Sequence, residues 1–180
     1  MKVDCIYMNR SPIMVPVVHE TPARPGAKVR TFADAELAAG KVKAFFDRVK
    51  VHDLYDVSNL KSVYESLEPS EQERAHQLVI YYASLSACFP KPFEGRERRF
   101  ADRLPELADQ LYPMLRSSTK HPTFETLMED AECFIADWVL PKTDEECEYL
   151  ERLASGDYRP EFIFPDETMA KAAAVNPEAL

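Results

Sequence analysis

Hydrophobic periodicity changes once along this chain, close to Asp34, and that change limits what the chain can fold into. Before it, the pattern is that of short strands. Lys2-Val3-Asp4-Cys5-Ile6-Tyr7 nearly alternates and is rich in β-formers, Asn9-Arg10-Ser11-Pro12 reads as a turn, and Ile13-Met14-Val15-Pro16-Val17-Val18 is a second extended run. Pro16 cannot donate to a ladder, which places that second run at a sheet edge or ends it. Residues 21–26 hold two prolines and a glycine and predict a loop, and Val29-Arg30-Thr31-Phe32 predicts a short third strand. Three such strands make a weak sheet by themselves, so they need helices to cover them or a larger sheet to join.

Beyond Asp34 the apolar residues recur at helical spacing. Leu37, Val42, Phe45, Phe46 and Val49 make one stripe, and Val57, Leu60, Val63, Tyr64 and Leu67 make a second. Ser70-Glu71-Gln72-Glu73, after Pro69, predicts a capping box opening a long helix through Leu78, Tyr81, Leu85 and Cys88, stopped by Pro90 and Pro92. Residues 96–115 support a helix with an interruption at Pro105, and 123–139 another, closed by Pro141. Thr143-Asp144-Glu145-Glu146 is a second capping box, for a helix ending near Gly156. Arg159-Pro160-Glu161-Phe162-Ile163-Phe164-Pro165 is an aromatic connector, expected to strap an alanine-rich last helix onto the rest. The expected fold is α+β and mostly α: a short β-strand fragment over residues 1–32, followed by a helical bundle over 33–180.

Composition removes several function classes. A hydrophobic share of 46% and a charged share of 29% over 180 residues are those of a folded globular chain. No apolar run approaches a membrane span, and the first residues lack a basic-then-apolar signal pattern, so a cytoplasmic location is expected. Cys5, Cys88, Cys133 and Cys147 are scattered without a C-x-x-C, which suits reduced thiols rather than a disulfide framework or zinc site. The four glycines lie far apart, so a Walker loop, a G-x-G-x-x-G turn and a G-x-S-x-G elbow are all absent.

The net charge of −9 is unevenly spread. Residues 1–50 hold nine Lys/Arg against five Asp/Glu (+4), 51–120 nine against eleven (−2), and 121–180 four against fifteen (−11). The basic first quarter suits local contact with phosphates, while the acidic last third reads as a solvated helical surface.

Chemistry concentrates between Gly40 and Asp56. On a helical wheel Lys41, Phe45 and Arg48 share a stripe with an apolar centre, while Lys43, Asp47 and Lys50 fall on the far side. In the following helix Asp53, Asp56, Val57 and Leu60 share a stripe. Two bases and two acids thus continue an inward face, where charge is costly unless paired. Two arrangements satisfy that pattern. One is an internal ion-pair network of Arg48 with Asp53 or Asp56, an acid also capping the second helix. The other is a basic pair gripping phosphates, with the carboxylates orienting it or a metal. His52-Asp53 also has the form of the doublet in metal-dependent phosphohydrolases, although His76 and His121 show no ligand spacing to it. Asp4, an acid between Val3 and Cys5, has the setting of a strand carboxylate that ligates metal, or of an outward-facing strand residue. Lys91 with Arg96, Arg98 and Arg99 forms a small basic cluster, which suits a solvated helix start or contact with an RNA backbone.

These segments carry a family resemblance. Residues 2–12 resemble the late strand-and-turn segment of AbiEii/AbiGii-type nucleotidyltransferase toxins. Gly40-Lys41-Val42-Lys43-Ala44-Phe45-Phe46-Asp47-Arg48 and His52-Asp53-Leu54-Tyr55-Asp56-Val57 resemble that family's Lys-x-x-Ala…Arg helix and its Arg-Asp-Leu-Tyr-Asp helix start. The likeness reaches motif detail over residues 1–67. It implies a DNA-polymerase-β-like nucleotidyltransferase fold with a C-terminal helical domain, acting as a toxin of toxin–antitoxin or phage-abortive systems, in some members by adding nucleotides to tRNA ends.

Carried over by position, Lys41 meets the nucleotide phosphates with Arg48 beside it, Asp53 and Asp56 are the family's two acids, and Asp4 falls where the late strand carries an acid and a metal ligand, so the resemblance implies Asp4, Asp53 and Asp56 as the catalytic carboxylates. Mg2+ is the implied cofactor, and a nucleoside triphosphate the implied substrate, with tRNA as acceptor. The chain departs from the family in two respects. His52 stands where arginine is usual, and the Gly-Ser turn with its Asp-x-Asp strand, which holds both metals, has no counterpart in this sequence. The resemblance therefore implies the C-terminal portion of such an enzyme, not catalytic alone, with an antitoxin or a separate N-terminal half as partner. The alternative is a non-catalytic helical interaction module whose open strand edges pair with another chain or self-associate.

Overall fold

The computed structural model describes residues 11–21, 24–87, 89, 100–117, 120–177 and 179. The first expected strand, with Asp4, and the basic cluster at Lys91 and 96–99 lie outside the described residues. Two strands, β1 (Val17–Glu20) and β2 (Lys28–Thr31), pair antiparallel with Val17 opposite Thr31 and Glu20 opposite Lys28. The second extended run thus becomes a strand only after Pro16. The backbone N–H groups of Ile13 and Met14 cannot join a ladder, because both donate to the Glu36 carboxylate, at 2.7 and 3.1 Å. The turn between the strands closes through Thr21 and Ala27, with Gly26 at φ +83°.

Helices follow: α1 (Asp34–Asp47), α2 (Val51–Ser58), α3 (Leu60–Glu65) and α4 (Pro69–Ser84). Next comes a short α5 (Leu104–Glu106), which runs into a π-helical turn, Leu107–Leu111, and a 3-10 turn, Tyr112–Met114. Then come α6 (Phe124–Trp138), α7 (Asp144–Ala154), a 3-10 turn at Pro160–Phe162, and α8 (Glu167–Ala174). The mostly helical α+β class expected from periodicity is the observed one.

Several boundaries differ from the sequence expectation, each for a local reason. The stripe from Val57 to Leu67 is split between two short helices at Asn59, whose side-chain amide donates to the Tyr55 carbonyl. Helix α4 starts at Pro69 rather than after Ser70, because Pro69 fits the first helical position; the Glu71 carboxylate accepts from the Glu68 backbone N–H at 3.4 Å. In the described part of 96–115, Pro105 and Pro113 break a regular helix into three kinds of turn. The expectations at Thr143 and Gly156 match the structure. Thr143 and Glu146 make the reciprocal box, and Gly156 at φ +85° closes α7 with N–H bonds from Gly156 to Leu153 and from Asp157 to Arg152.

The core forms where α1 packs on α4 and α2 on α6. Ala39, Val42, Phe45 and Phe46 of α1 meet Leu78, Val79, Tyr81 and Tyr82 of α4, and Leu54, Val57, Ala131 and Phe134 extend the core through α2 and α6. Leu37 and Val63, expected on the buried stripes, stand exposed instead. The tail is strapped down as expected: Ile163 and Phe164 are buried, and the Phe164 ring lies 5.1 Å from that of Tyr81. The Tyr158 hydroxyl donates to the Ala173 carbonyl at 2.7 Å and sits 3.1 Å from the Tyr81 hydroxyl, which also accepts from Asn176 Nδ2 at 2.9 Å. Among the described residues no helix is long and apolar enough to cross a membrane.

Candidate phosphate-binding groove

Helix α1 has two faces of opposite character. Its inner face carries Ala38, Ala39, Val42, Phe45 and Phe46, all buried. Its outer stripe runs Leu37, Lys41, Ala44, Arg48, at intervals of four, three and four residues, so these four stand above one another. Lys41 and Arg48 do not continue the inward face with Phe45, contrary to the helical-wheel expectation. Phe45 is fully buried, whereas the side chains of Lys41 and Arg48 are 55% and 59% exposed. Both positions border the apolar face, and a long aliphatic stem lets each cation reach water from there.

Helix α2 holds the two cations. Arg48 makes a two-pronged contact with Asp53, Nε to Oδ2 at 3.1 Å and Nη2 to Oδ1 at 2.6 Å. The Asp53 side chain is 4% exposed, so its charge is almost wholly dependent on that guanidinium. Lys41 Nζ lies 2.8 Å from Asp56 Oδ2 at the more open end of the same interface. Asp53 sits in the first turn of α2, where the helix dipole favours an anion, but its side chain makes no capping hydrogen bond. The fork engages Arg48 Nε and Nη2, and the other N–H groups of the guanidinium take no part in it.

Beside this stripe lies an open groove of about 350 Å3, walled by Phe32, Leu37, Gly40, Lys41, Ala44, Arg48 and Tyr82, with Glu36 and Asp47 also on its surface. Both acids are already engaged. Glu36 is 3% exposed and accepts from Ile13 N, Met14 N and the Tyr82 hydroxyl, the last at 2.8 Å. Asp47 accepts from Lys43 Nζ at 2.5 Å and from the Ala87 backbone N–H at 2.8 Å. The groove therefore offers two half-exposed cations, while its two carboxylates are occupied by donors.

The structure brings Lys41, Arg48, Asp53 and Asp56 together and leaves Asp4 outside the described residues. It forms the ion pairs of the first arrangement, while keeping both cations at the groove. His52 contacts the Gln110 backbone carbonyl through Nε2 at 3.0 Å and so does not share a site with Asp53. Among the described residues no group of three or more His, Cys, Asp and Glu could hold a metal ion. His76 is buried between the Trp138 carbonyl and Glu146, and the exposed His121 stacks on Tyr112 at 4.3 Å. Sequence reasoning missed Glu36 and Asp47. Glu36 falls on the stripe of Ala39 and Phe46, and an acid on an apolar helix stripe is a signal for a buried, multiply bonded carboxylate.

A family model described as "Nucleotidyl transferase AbiEii toxin, Type IV TA system" matches residues 1–130. No curated protein and no solved structure matches the chain.

Proposed function

The chain belongs to the AbiEii nucleotidyl transferase toxin family of type IV toxin–antitoxin systems, and on that premise we propose that it grips the phosphates of a nucleoside triphosphate through Lys41 and Arg48. The observation that carries this reading is the placement of both cations on one groove wall, half-exposed and steadied by the acids of the next helix. In nucleotidyl transfer a hydroxyl of the acceptor, tRNA or another RNA, attacks the α-phosphorus and pyrophosphate leaves. Charge builds on the phosphate oxygens during that step, and fixed cations lower its cost without reorganising.

Lys41 supplies a point charge, and Arg48 supplies planar N–H donors outside its fork with Asp53. Asp53 and Asp56, the family's two acids, act on this reading by holding the two cations at the groove. Asp4 is the proposed strand carboxylate of the site. Mg2+ does not fit the described carboxylates: Glu36 and Asp47 are filled by donors, and Asp53 and Asp56 are each bound to a cation. The sequence has no Gly-Ser followed by Asp-x-Asp, and the proposal is that residues 1–32 and the helical residues 33–180 work with metal-binding carboxylates supplied from outside this sequence.

The alternative, a non-catalytic module that pairs with an antitoxin or a transferase half, is favoured by one feature. Strands β1 and β2 are almost entirely exposed, with Val17, Val18 and Val29 bare on a sheet of two strands among the described residues. Calorimetry with ATP, CTP, GTP and UTP in the presence of Mg2+ separates the readings. Binding by the wild type, weakened about tenfold or more in Lys41→Ala without loss of fold, is expected for loss of one charge-assisted phosphate contact. No binding of any of the four, or unfolding of Lys41→Ala, would overturn the transferase reading in favour of the interaction module.

A further inference from the structure

The groove beside α1 is graded along its length. At the N-terminal end stand Phe32 and Leu37, and Leu37 is a large apolar side chain left 46% exposed. At the other end stand Lys41 and Arg48. From Leu37 to Arg48 the helix rises about 16 Å. Between the two ends Gly40 contributes no side chain to the groove. Glycine inside a helix is unfavourable relative to alanine, and α1 uses alanine at 38, 39 and 44, around this position. Of these four positions Gly40 and Ala44 line the groove, and the glycine is the one between Leu37 and Lys41.

We infer that the groove binds a nucleotide in one direction: the base against Phe32 and Leu37, the sugar over Gly40, and the phosphates at Lys41 and Arg48. The inference rests on the nucleotide reading above and adds the residues that recognise the nucleoside. A nucleobase is flat and apolar on its faces and suits a wall made of the half-buried Phe32 ring and the exposed Leu37 side chain. The phosphate chain is polyanionic and suits the cationic end. A side chain at position 40 would occupy the space that the sugar needs. Of the two acids on the groove, Asp47 is paired with Lys43, and Glu36 is buried against the Ile13 and Met14 N–H groups and the Tyr82 hydroxyl.

Titrating the four nucleoside triphosphates and inorganic tripolyphosphate against the wild type, Gly40→Ala, Leu37→Ser and Lys41→Ala tests this. The expected result is that Gly40→Ala and Leu37→Ser each weaken the nucleotide about tenfold or more while leaving tripolyphosphate unchanged, and that Lys41→Ala weakens both. Gly40→Ala is also expected to melt no lower than the wild type. If Gly40→Ala and Leu37→Ser bind nucleotide like the wild type, or lose both probes equally, the direction is wrong while the phosphate grip stands. If the wild type binds neither probe, the transferase reading falls and this inference falls with it. Should Gly40→Ala fail to fold, Leu37→Ser, at an exposed position, decides alone.

Discussion

Glu36 is the buried acid on which the start of the described chain is hung, and replacing it tests that arrangement quantitatively. Its carboxylate accepts from Ile13 N, Met14 N and the Tyr82 hydroxyl, and Ile13 itself is 2% exposed. A hydrogen bond to a charged group contributes about 1.5–3 kcal/mol, and a stranded buried donor costs about 1–3 kcal/mol. Glu36→Ala removes three such bonds and leaves the Ile13 N–H without its acceptor. Because the three share one carboxylate and are not additive, the expected loss is about 3–5 kcal/mol. Glu36→Gln keeps one acceptor oxygen for Ile13 and Tyr82 but sets an amide NH2 against the Met14 N–H, for a loss of about 1–2 kcal/mol. Tyr82→Phe removes one bond and strands no donor, for about 1 kcal/mol. Urea unfolding followed by far-ultraviolet circular dichroism measures all three. The order Glu36→Ala, then Glu36→Gln, then Tyr82→Phe is the expected one. A Glu36→Ala protein within about 1 kcal/mol of the wild type would refute the clamp.

Three further outcomes follow from the ion pairs and the buried tyrosines. Arg48→Ala strands the buried Asp53 carboxylate and is expected to cost about 2–3 kcal/mol, less than a fully buried pair because the guanidinium side is open to water. Asp53→Asn is expected to cost about 2 kcal/mol, and Lys41→Ala under about 1 kcal/mol, in the same urea assay. Equal costs for Arg48→Ala and Lys41→Ala would show that Asp53 is not dependent on its partner. The Arg152 and Arg159 guanidiniums hold Asp157 below the ordinary carboxylate range, and backbone N–H bonds from Met169 and Thr168 do the same for Asp166. Their contribution is present above the unfolded-state value and lost as pH falls through the lower folded values, so melting temperature should drop below about pH 4. The drop should be shallower in Asp166→Asn. Burial pushes the Tyr64 and Tyr149 hydroxyls upward. Stability from these groups is present below the unfolded-state value and lost as pH rises above about 10. Absorbance at 295 nm should therefore show them ionising only as the protein unfolds.

What was legible in the sequence followed from periodicity and from residues with a single local use. Thr143 with Glu146, the stop at Gly156, and Val42, Phe45 and Phe46 on the buried face of α1 could be read because caps, turns and stripes are local. The pairing of Arg48 with Asp53 was one of two arrangements that the wheel allowed, and only the angle between α1 and α2 decides it. Three features were not legible because they depend on contacts distant in sequence. Ile13 and Met14 look like strand residues, yet their N–H groups are taken by an acid 23 and 22 residues away, respectively. Leu37 fits the apolar stripe by spacing but lies past its edge, where Phe32 and Tyr82 frame a groove instead of a core. Asp47 was placed on the far side, yet the Ala87 backbone N–H and Lys43 draw it to the groove rim.

The strapped tail also bears on where this protein can be divided. The family match ends at residue 130, but Phe134, Tyr149, Phe164 and Ala173 belong to the same continuous core as Phe45 and Tyr81. The hydroxyl of Tyr81, on the helix that backs α1, is held by Tyr158 and Asn176. A recombinant fragment trimmed to the matched stretch would uncover the reverse side of α4, and the loss would pass through that helix to the groove. The last fifty residues, unmatched by the family description, are thus foundations for the matched part.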